Sequence, residues 1–397
     1  MKYKTVGLMG TLVSNENMGC VALTYSLVRM LEKIAKQNKI TFKYIVFEYC
    51  RDKECYRRLS ENLKIDGERI QFSPVGFLNT HNLKLLIKKS FVNLSVCKSI
   101  IKCDFVIDLT QGDSFTDIYG LDRFESLTNA KKLVQFFHIP LILGPQTYGP
   151  FQNTSVKEKA KSVIEKAVSV ISRDHESKKY ISTFCLKKVV VATDLAFGLP
   201  YRKERLTYSR IRVGINPSGL LVKGKTEKTN LQTGLATDYD RFIQKIIEYL
   251  TSNEIYEVHL IPHVGDDAVN QYKDMKGVIV HSAFKTPMDA KSYIASMDVF
   301  IGARMHATIA AFSAGVATIP TAYSRKFSGL FENLGYNHVI DLTVLNTDVA
   351  IKQTMDMIAD YKNLKSEVDA CMVNIHDKLK ILEDTLEQTI MKCIDNN

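Results

Sequence analysis

Arg304 and His306, in the segment GARMH (302–306), have the side-chain types and the spacing to bind and protonate a small anion. An apolar segment, 298–303, is predicted to be a strand, and a helical pattern begins just after it. Side chains two positions apart in extended chain point the same way, so both can face one ligand. The free N–H groups of the following helix favour an anion. The alternative is an arginine paired with a carboxylate beside a half-buried histidine.

Arg173 occupies the same kind of junction in the first half of the chain, in ISRDHES (171–177). The next residue, Asp174, is predicted to cap a helix. Two arginines from two halves of a protein can clamp a multiply charged small anion, because the planar guanidinium binds carboxylate or phosphate through parallel hydrogen bonds. The alternative is a surface ion pair between Arg173 and Asp174, which contributes little to stability.

A third strand-to-helix junction, AYSRKFSGLFENLG (322–335), brings Ser324 and Lys326 into consideration. The Ser324 hydroxyl is predicted either to cap the helix or to bond a phosphate oxygen, and capping is the safer interpretation. Lys326 is predicted to complete the anion site.

Polar loops of the first half are typical of a sugar-binding surface. DLTQGDSFTDIYG (108–120) holds Asp113 and Asp117, which suit hydrogen bonding to a sugar or deprotonation of an alcohol, although aspartates also fill turns. The loop 10–23 is neither GxGxxG nor a phosphate-binding loop, so nucleotide binding is weakly supported. The further residues predicted to bind such a sugar are Asn17, Ser114, Gln146, Tyr148 and His263.

Short apolar runs alternate with helical patterns along the chain, which predicts an α/β fold with parallel sheets. A polar segment at 198–210 separates two such series. We therefore predict two Rossmann-like doubly wound domains facing across a cleft (GT-B-like), with a helical C-terminal tail. The predicted limits are 1–200 for the acceptor-side domain that also contributes Arg173, 201–345 for the anion-binding domain and 346–397 for the tail. The predicted strands are 4–10, 42–49, 104–109, 140–145, 168–173, 188–194, 212–216, 256–263, 277–282, 298–303 and 316–323.

The composition of the 397 residues is that of a globular protein, with 45% hydrophobic and 24% charged residues. A net charge of +10 is compatible with nucleic acid, an anionic membrane surface or anionic substrates, but no nucleic-acid-binding motif is present. Eight cysteines without CxxC pairs fit a reducing compartment and no zinc site. The lysine-rich segment 82–102 either lies on anionic lipid or, as the simpler interpretation, is a helix with a solvated lysine face.

Seven motifs in order give the chain a resemblance to the polysaccharide pyruvyl transferases over about residues 5–335. They are NENMGCVAL, QGDSFTDIYG, GPQTYGPF, SRDHES, TDLAF, GARMH and YSRKFSGLFENLG. The resemblance implies arginines at 173 and 304 that hold phosphoenolpyruvate and a catalytic histidine at 306. The chain departs from the family where a frequent GGGD reads Gln111-Gly112-Asp113 after Thr110, and where Cys20 replaces a frequent acidic residue. Both departures lie on the side of the protein expected to bind the acceptor, the sugar that receives the pyruvyl group, so they bear on the identity of that sugar.

The reaction that the resemblance implies is transfer of pyruvate from phosphoenolpyruvate to a sugar as a ketal. His306 is the expected acid, Asp113 or Asp117 assists the sugar hydroxyl, and no cofactor or metal is expected. A lipid-linked acceptor, a cytoplasmic location and peripheral contact with the inner membrane face are further expectations. A nucleotide-sugar glycosyltransferase of the same architecture is the alternative function, and a non-catalytic carbohydrate-binding relative is a third.

Overall fold

The computed structural model describes residues 3–48, 52–73, 90–203, 209–222, 234–265 and 267–395, without the side chains of 90–93, 325, 326 and 328. The chain divides into two compact units. The first unit consists of Met1–Asn15, Leu23–Leu195 and Asp377–Asn397, and the second of Glu16–Ala22 and Ala196–His376. The domain limits expected from the sequence stay predictions.

The first unit is built on a seven-stranded parallel sheet with the order β3-β2-β1-β4-β5-β6-β7. The strand order reverses direction between β1 and β4, which makes this pair the topological switch point of the sheet. Its strands are β1 (Tyr3–Met9), β2 (Thr41–Phe47), β3 (Ile70–Ser73), β4 (Phe105–Asp108), β5 (Leu141–Gln146), β6 (Ser169–Ser172) and β7 (Val190–Val191).

Helices connect these strands, as parallel pairing requires. The first is buried all round in its first part, and from Leu27 to Ile34 its buried apolar residues recur every three or four positions. Side-chain caps fix the starts of later helices, at Asn153 and at Asp174. The helices are α1 (Met18–Gln37), α2 (Lys53–Leu63), α3 (Ser90–Ile101), α4 (Leu121–Phe136), α5 (Thr154–Lys166) and α6 (His175–Ser182).

The second unit repeats the architecture with a six-stranded parallel sheet of order β10-β9-β8-β11-β12-β13, so its switch point lies between β8 and β11. Its strands are β8 (Ile211–Asn216), β9 (Tyr256–Leu260), β10 (Val278–Val280), β11 (Val299–Gly302), β12 (Ala317–Ala322) and β13 (Ile340–Asp341). Its helices are α7 (Tyr239–Thr251), α8 (Pro287–Ile294), α9 (Met305–Phe312), α10 (Arg325–Glu332) and α11 (Thr347–Ala359).

The last helix is α12 (Tyr361–Asp395), which has 35 residues. Its first part belongs to the second unit and its last part to the first unit. Its buried residues Leu382, Leu386 and Ile390 follow a four-residue spacing. Lys33 of α1 pairs with Glu383 at 2.7 Å, which holds the end of the helix within the first unit.

The structure confirms the α/β fold, all eleven predicted strands and the helical tail. The prediction missed β3 and β13. Two of the four residues of β3 are exposed, and β13 has only two residues, so neither shows a buried apolar run. Across the described ranges, no helix has the length and apolar character needed to cross a membrane.

Candidate functional site

Arg304 lies at the switch point of the second sheet, where β11 ends beside β8. Its backbone is extended (φ −98°, ψ 121°) and forms the N-cap of α9. Its backbone N–H donates to the side-chain oxygen of Asn216, the last residue of β8, at 3.2 Å. Its Nε donates to Asp267 Oδ1 at 2.7 Å. The guanidinium is thus oriented at the carboxyl edge of the sheet, where α/β proteins bind ligands.

Asp267 is the centre of this arrangement. While Oδ1 accepts from Arg304, Oδ2 accepts from the backbone N–H groups of His263 (2.7 Å) and Val264 (2.9 Å) and from Asn216 Nδ2 (2.8 Å). The side chain of Asp267 is fully buried, and that of Arg304 is 11% exposed. A buried carboxylate with this many donors is a fixed anchor for the arginine.

His306 and His263 lie next to each other in the same cluster. His306 occupies the first turn of α9, two residues after Arg304. Gly19, at the start of α1, lies so close to His306 that a Cβ on the glycine would be 2.5 Å from the Cβ and Cγ of the histidine. The backbone N–H of Met18 donates to the carbonyl of His263 at 3.1 Å. The turn that begins α1 therefore packs on the two histidines.

His263 remains neutral at physiological pH. Burial, and then electrostatic interaction with His306 and Arg304, lower its pKa to about 3. Among the described residues its Nδ1 has no hydrogen-bond partner, although the atom is buried. A neutral imidazole beside Arg304 adds a polar ring to the site without adding charge.

Arg173 lies in the first unit and is almost fully buried. Its Nη1 donates to Asp194 at 2.7 Å and its Nε to Thr147 Oγ1 at 2.8 Å. Burial lowers its pKa, but the carboxylates of Asp194, Asp113 and Asp174 outweigh burial and raise it above the ordinary value. Asp174 caps α6, as predicted, by accepting from the N–H of Ser177 at 2.6 Å.

The two predicted catalytic carboxylates differ in their surroundings. Asp113 is half-buried and accepts from the Tyr119 hydroxyl at 2.8 Å. Asp117 is buried, and its oxygens accept from the backbone N–H groups of Gln152 and Asn153 at 3.0–3.3 Å. These bonds give Asp117 a structural task in front of α5, whereas Asp113 lies within the electrostatic influence of Arg173.

The predicted acceptor-binding residues of the first unit make internal bonds. Ser114 accepts from Arg123 at 2.8 Å. Gln146 is fully buried and donates to the carbonyl of Asp108 at 3.3 Å. The Tyr148 hydroxyl donates to the carbonyl of Ile171 at 3.1 Å, and burial raises its pKa well above 10. A part in acceptor binding stays a prediction for all three, beside the structural role that these bonds show.

The remaining predicted residues belong to the second unit. Asn17 accepts from the N–H of Gly19 at 3.0 Å, as a residue that caps a helix does. Ser324 is the N-cap residue of α10, but its hydroxyl forms no capping bond within the described structure. The side chain of Lys326 lies outside the described atoms, so its part in an anion site stays a prediction.

The structure therefore brings Arg304, His306 and His263 together with the Asn17 turn, and it places Arg173 with Asp113 in the other unit. Sequence reasoning missed the residues that orient the two arginines. Asp194 and Thr147 lie inside motifs used for the resemblance, TDLAF and GPQTYGPF, so their polar character was a usable signal. Asp267 and Asn216 lie in no such motif.

Within the described part of the chain, no group of three His, Cys, Asp or Glu residues could hold a metal ion.

Solved structures share the fold along the whole chain. The UDP-GlcNAc 2-epimerase of Neisseria meningitidis, solved with UDP-GlcNAc bound, has a TM-score of 0.60 and 11% identity over 99% of this chain and 100% of its own. A glycosyltransferase from Rickettsia africae has a TM-score of 0.57 and 11% identity over 100% of both chains. MurG of Acinetobacter baumannii has a TM-score of 0.50 and 12% identity over 98% of this chain and 99% of its own. These similarities show a GT-B-like fold.

The family is shown by sequence. No curated protein matches the chain. The family model of polysaccharide pyruvyl transferases matches residues 17–325, a range that includes Asn17, Arg173, Arg304, His306 and the residues that orient the two arginines. The chain belongs to the polysaccharide pyruvyl transferase family.

Proposed function

We propose that this protein transfers pyruvate from phosphoenolpyruvate to a sugar residue of a polysaccharide or glycan precursor, forming a pyruvate ketal and releasing phosphate. The observation that carries the proposal is the Arg304 cluster, in which an arginine held by Asp267 lies two residues from a histidine at a sheet switch point. The family membership of the chain supports the same reaction.

Arg304 binds the anionic donor in this proposal. Phosphoenolpyruvate carries a carboxylate and a phosphate, and a guanidinium can bind either through parallel hydrogen bonds. The ion pair with Asp267 fixes the plane of that fork before the donor arrives, which reduces the entropy lost on binding. The N-terminus of α9 adds N–H groups that favour negative charge. A contribution from Arg173 and Lys326 to the same donor stays a prediction.

His306 supplies the proton that starts the reaction. Transfer of that proton to the methylene carbon of phosphoenolpyruvate makes the adjacent carbon electrophilic, and a sugar hydroxyl attacks it while losing its own proton. Phosphate then leaves with the electron pair of the C–O bond. A second hydroxyl of the same sugar attacks the same carbon and closes the ketal, so its proton balances the one that His306 gave up.

Asp113 is the better of the two candidates for taking the proton of the acceptor hydroxyl. Both oxygens of Asp117 already accept backbone N–H groups, which commits this carboxylate to the turn in front of α5. Asp113 accepts one side-chain hydroxyl and is half-buried.

A lipid-linked acceptor at the inner membrane face belongs to the same proposal. Of the lysine-rich segment 82–102, residues 82–89 lie outside the described residues and Ser90–Ile101 form α3, so contact of this segment with anionic lipid stays a prediction.

The experiment that tests the function is thermal stabilisation by phosphoenolpyruvate, measured beside uridine diphosphate sugars. A ligand at a hundred times its Kd adds about 2.7 kcal/mol of stability. We expect a shift with phosphoenolpyruvate that is lost in Arg304→Ala and reduced in Arg304→Lys, since lysine lacks the planar fork. The control is Arg241→Ala, which removes an exposed arginine of the same unit.

Two results would overturn the proposal. A shift with a nucleotide sugar and none with phosphoenolpyruvate would make the protein a glycosyltransferase. A shift with phosphoenolpyruvate that survives in Arg304→Ala would move the donor to another site. For the reaction itself, His306→Gln should keep the phosphoenolpyruvate shift and lose phosphate release with an accepting sugar. Undiminished release would remove His306 from the mechanism.

A further inference from the structure

The first unit contains a cavity of about 330 Å³ at the switch point between β1 and β4, and the proposed reaction leaves it without a role. It lies between the carboxyl ends of β1, β2 and β4 and the helices α3 and α4. All the residues that line it belong to the first unit. Its volume is at the lower end for small-molecule sites, which suits a single sugar ring rather than a nucleoside diphosphate.

The walls of the cavity are apolar on the helix side and polar at the strand ends. Val96 and Ile100 of α3 face it together with Leu127, Ala130 and Leu133 of α4. At the strand ends it meets the hydroxyl of Thr11 and the amides of Asn15 and Gln111. Asn15 is exposed, so this polar edge is the solvent side.

The charges around the cavity disfavour an anion. None of its described lining residues is a lysine, arginine or histidine, and two of them, Glu48 and Asp108, are acids. Glu48 is occupied by the N–H groups of Val13 (2.8 Å) and Ser14 (3.1 Å), and Asp108 forms a buried ion pair with Lys131 at 3.0 Å. The other polar side chains on the lining are neutral amides and hydroxyls, which are the usual partners of sugar hydroxyls.

The rim of this cavity also carries backbone strain. Thr110 and Gln111 both have positive φ (44° and 55°), a conformation that costs free energy in a residue with a side chain. Gly10, also at positive φ, allows the two loops to meet: its carbonyl accepts from the N–H of Gln111 at 2.7 Å. The strained backbone sets Gln111 on the cavity, and Arg123 holds its Oε1 at 2.5 Å.

We propose that this first-unit cavity binds the acceptor as a neutral sugar ring that carries an apolar substituent, an N-acetyl or a deoxy methyl group. The substituent lies against the apolar wall of α3 and α4, and the ring hydroxyls bond Gln111, Asn15 and Thr11. The claim that this sugar is the acceptor rests on the proposed function. The claim that the cavity binds such a sugar does not depend on it.

The test is calorimetric binding of methyl glycosides in the gluco, manno and galacto configurations, each as the parent hexose, the N-acetylhexosamine and the 6-deoxyhexose. Burial of one methyl group contributes about 0.8 kcal/mol, or roughly fourfold in Kd. We expect at least one substituted sugar to bind at least about fourfold more tightly than its parent. Equal or tighter binding of every parent hexose would overturn the proposal.

Two variants locate the binding. Ala130→Leu fills the apolar wall and should abolish the preference for the substituted sugar, whereas the matched Ala130→Ser should keep it. Gln111→Gly removes the side chain and relieves the positive φ, so it should weaken sugar binding about tenfold without lowering the Tm. If neither Ala130→Leu nor Gln111→Gly changes the Kd of the sugar, the cavity is not its site.

The donor experiment keeps the two proposals apart. Sugar binding is measured without phosphoenolpyruvate. A normal phosphoenolpyruvate shift in Ala130→Leu shows that the variant is folded and that any loss of sugar binding is local. Sugar binding at the cavity without a phosphoenolpyruvate shift in the wild type would end the pyruvyl transfer proposal and leave the sugar site standing.

Discussion

Arg304 is one member of a charge and hydrogen-bond system centred on Asp267. Four donors converge on this carboxylate: one guanidinium, one side-chain amide and two backbone N–H groups. In Asp267→Asn at least one of these donors would face an NH₂ group instead of an oxygen. We expect the phosphoenolpyruvate Kd to rise at least about tenfold and the free energy of unfolding to fall by about 3 kcal/mol.

Ligand titration and urea unfolding measure the two effects of Asp267→Asn. Asp348→Asn is the control, because it removes an exposed carboxylate of the same unit. An unchanged Kd together with reduced stability would show that Asp267 supports the loop but does not orient the arginine.

His263 makes the stability of the protein sensitive to acid. Its pKa of about 3 in the folded state lies below its value in the unfolded chain, about 6.5. The stabilisation that comes from keeping it neutral is therefore complete above pH 6.5 and is lost as the pH falls towards 3. The slope is at most about 1.4 kcal/mol per pH unit.

The measurement is the free energy of unfolding of wild type and His263→Gln between pH 7 and pH 4. We expect the variant to lose less stability than the wild type over this range. His376→Gln, which replaces an exposed histidine, should follow the wild type. Parallel curves for wild type and His263→Gln would show that the ring takes up a proton without unfolding.

At the residue scale, the sequence predicted the chemistry-bearing side chains of the second unit but not their support. The proximity of Arg304 and His306 is visible from spacing because the two are separated by one residue. Asp267 is 37 positions away from Arg304, and only the parallel pairing of β8 with β9 and β11 brings it there. The alternative of an arginine paired with a carboxylate holds for Arg304, whose partner is Asp267. Arg173 also pairs with a carboxylate, but its partner is the buried Asp194 and not, as in the surface ion pair considered from the sequence, Asp174.

At the element scale, the start of α1 packs against His306 and limits the position of its ring. Gly19 has no side chain to separate the helix from the histidine, and a Cβ there would lie 2.5 Å from His306 Cγ. Gly19→Ala should therefore displace the ring. A shift of about 1 Å in a catalytic group can cost roughly 100-fold in rate.

Kinetics and donor binding distinguish the ways in which Gly19→Ala could act. We expect phosphate release to fall about 100-fold while the phosphoenolpyruvate shift remains, because the three atoms nearest a Cβ at Gly19 all belong to His306. Gly329→Ala is the control, since a Cβ at that position would have no described atom within 4 Å apart from its chain neighbours and the backbone of its own helix. Full activity of Gly19→Ala would show that the position of His306 is not critical.

Elements could be predicted where a run of buried apolar residues marks them in the sequence. They were missed where no such run exists. Strands β8 and β11 consist almost wholly of buried residues and stand out as apolar runs. The turn Thr110–Gly112 has non-glycine residues at positive φ, which the sequence TQG does not indicate. Its geometry comes from tertiary contact with Gly10, so propensity alone could not predict it.

At the scale of the whole molecule, the last part of α12 completes the first unit. Leu382, Leu386 and Ile390 are fully buried there, and Glu387 accepts from Asn38, the residue that follows α1, at 2.6 Å. A chain that ends at His376 loses this apolar face. We expect the first unit of that chain to lose several kcal/mol of stability, since each buried leucine or isoleucine contributes about 2 kcal/mol.

Limited proteolysis with mass spectrometry checks this truncation. Cleavage should appear first within residues 23–195, and the second unit should survive longer. The control is a chain that ends at Asp395, which keeps every described residue. Equal resistance of the two units in the chain that ends at His376 would show that the helix end is dispensable.

The two units are interleaved along the chain, because 16–22 belongs to the second unit and 377–397 to the first. During synthesis, the amino-terminal sheet leaves the ribosome about 200 residues before the helix that completes it. The second unit needs only the early segment 16–22 and is complete once residue 376 has been made. The half of the protein whose synthesis begins first is thus the half whose last segment is synthesised last, and neither half can be produced whole as one continuous fragment of the gene.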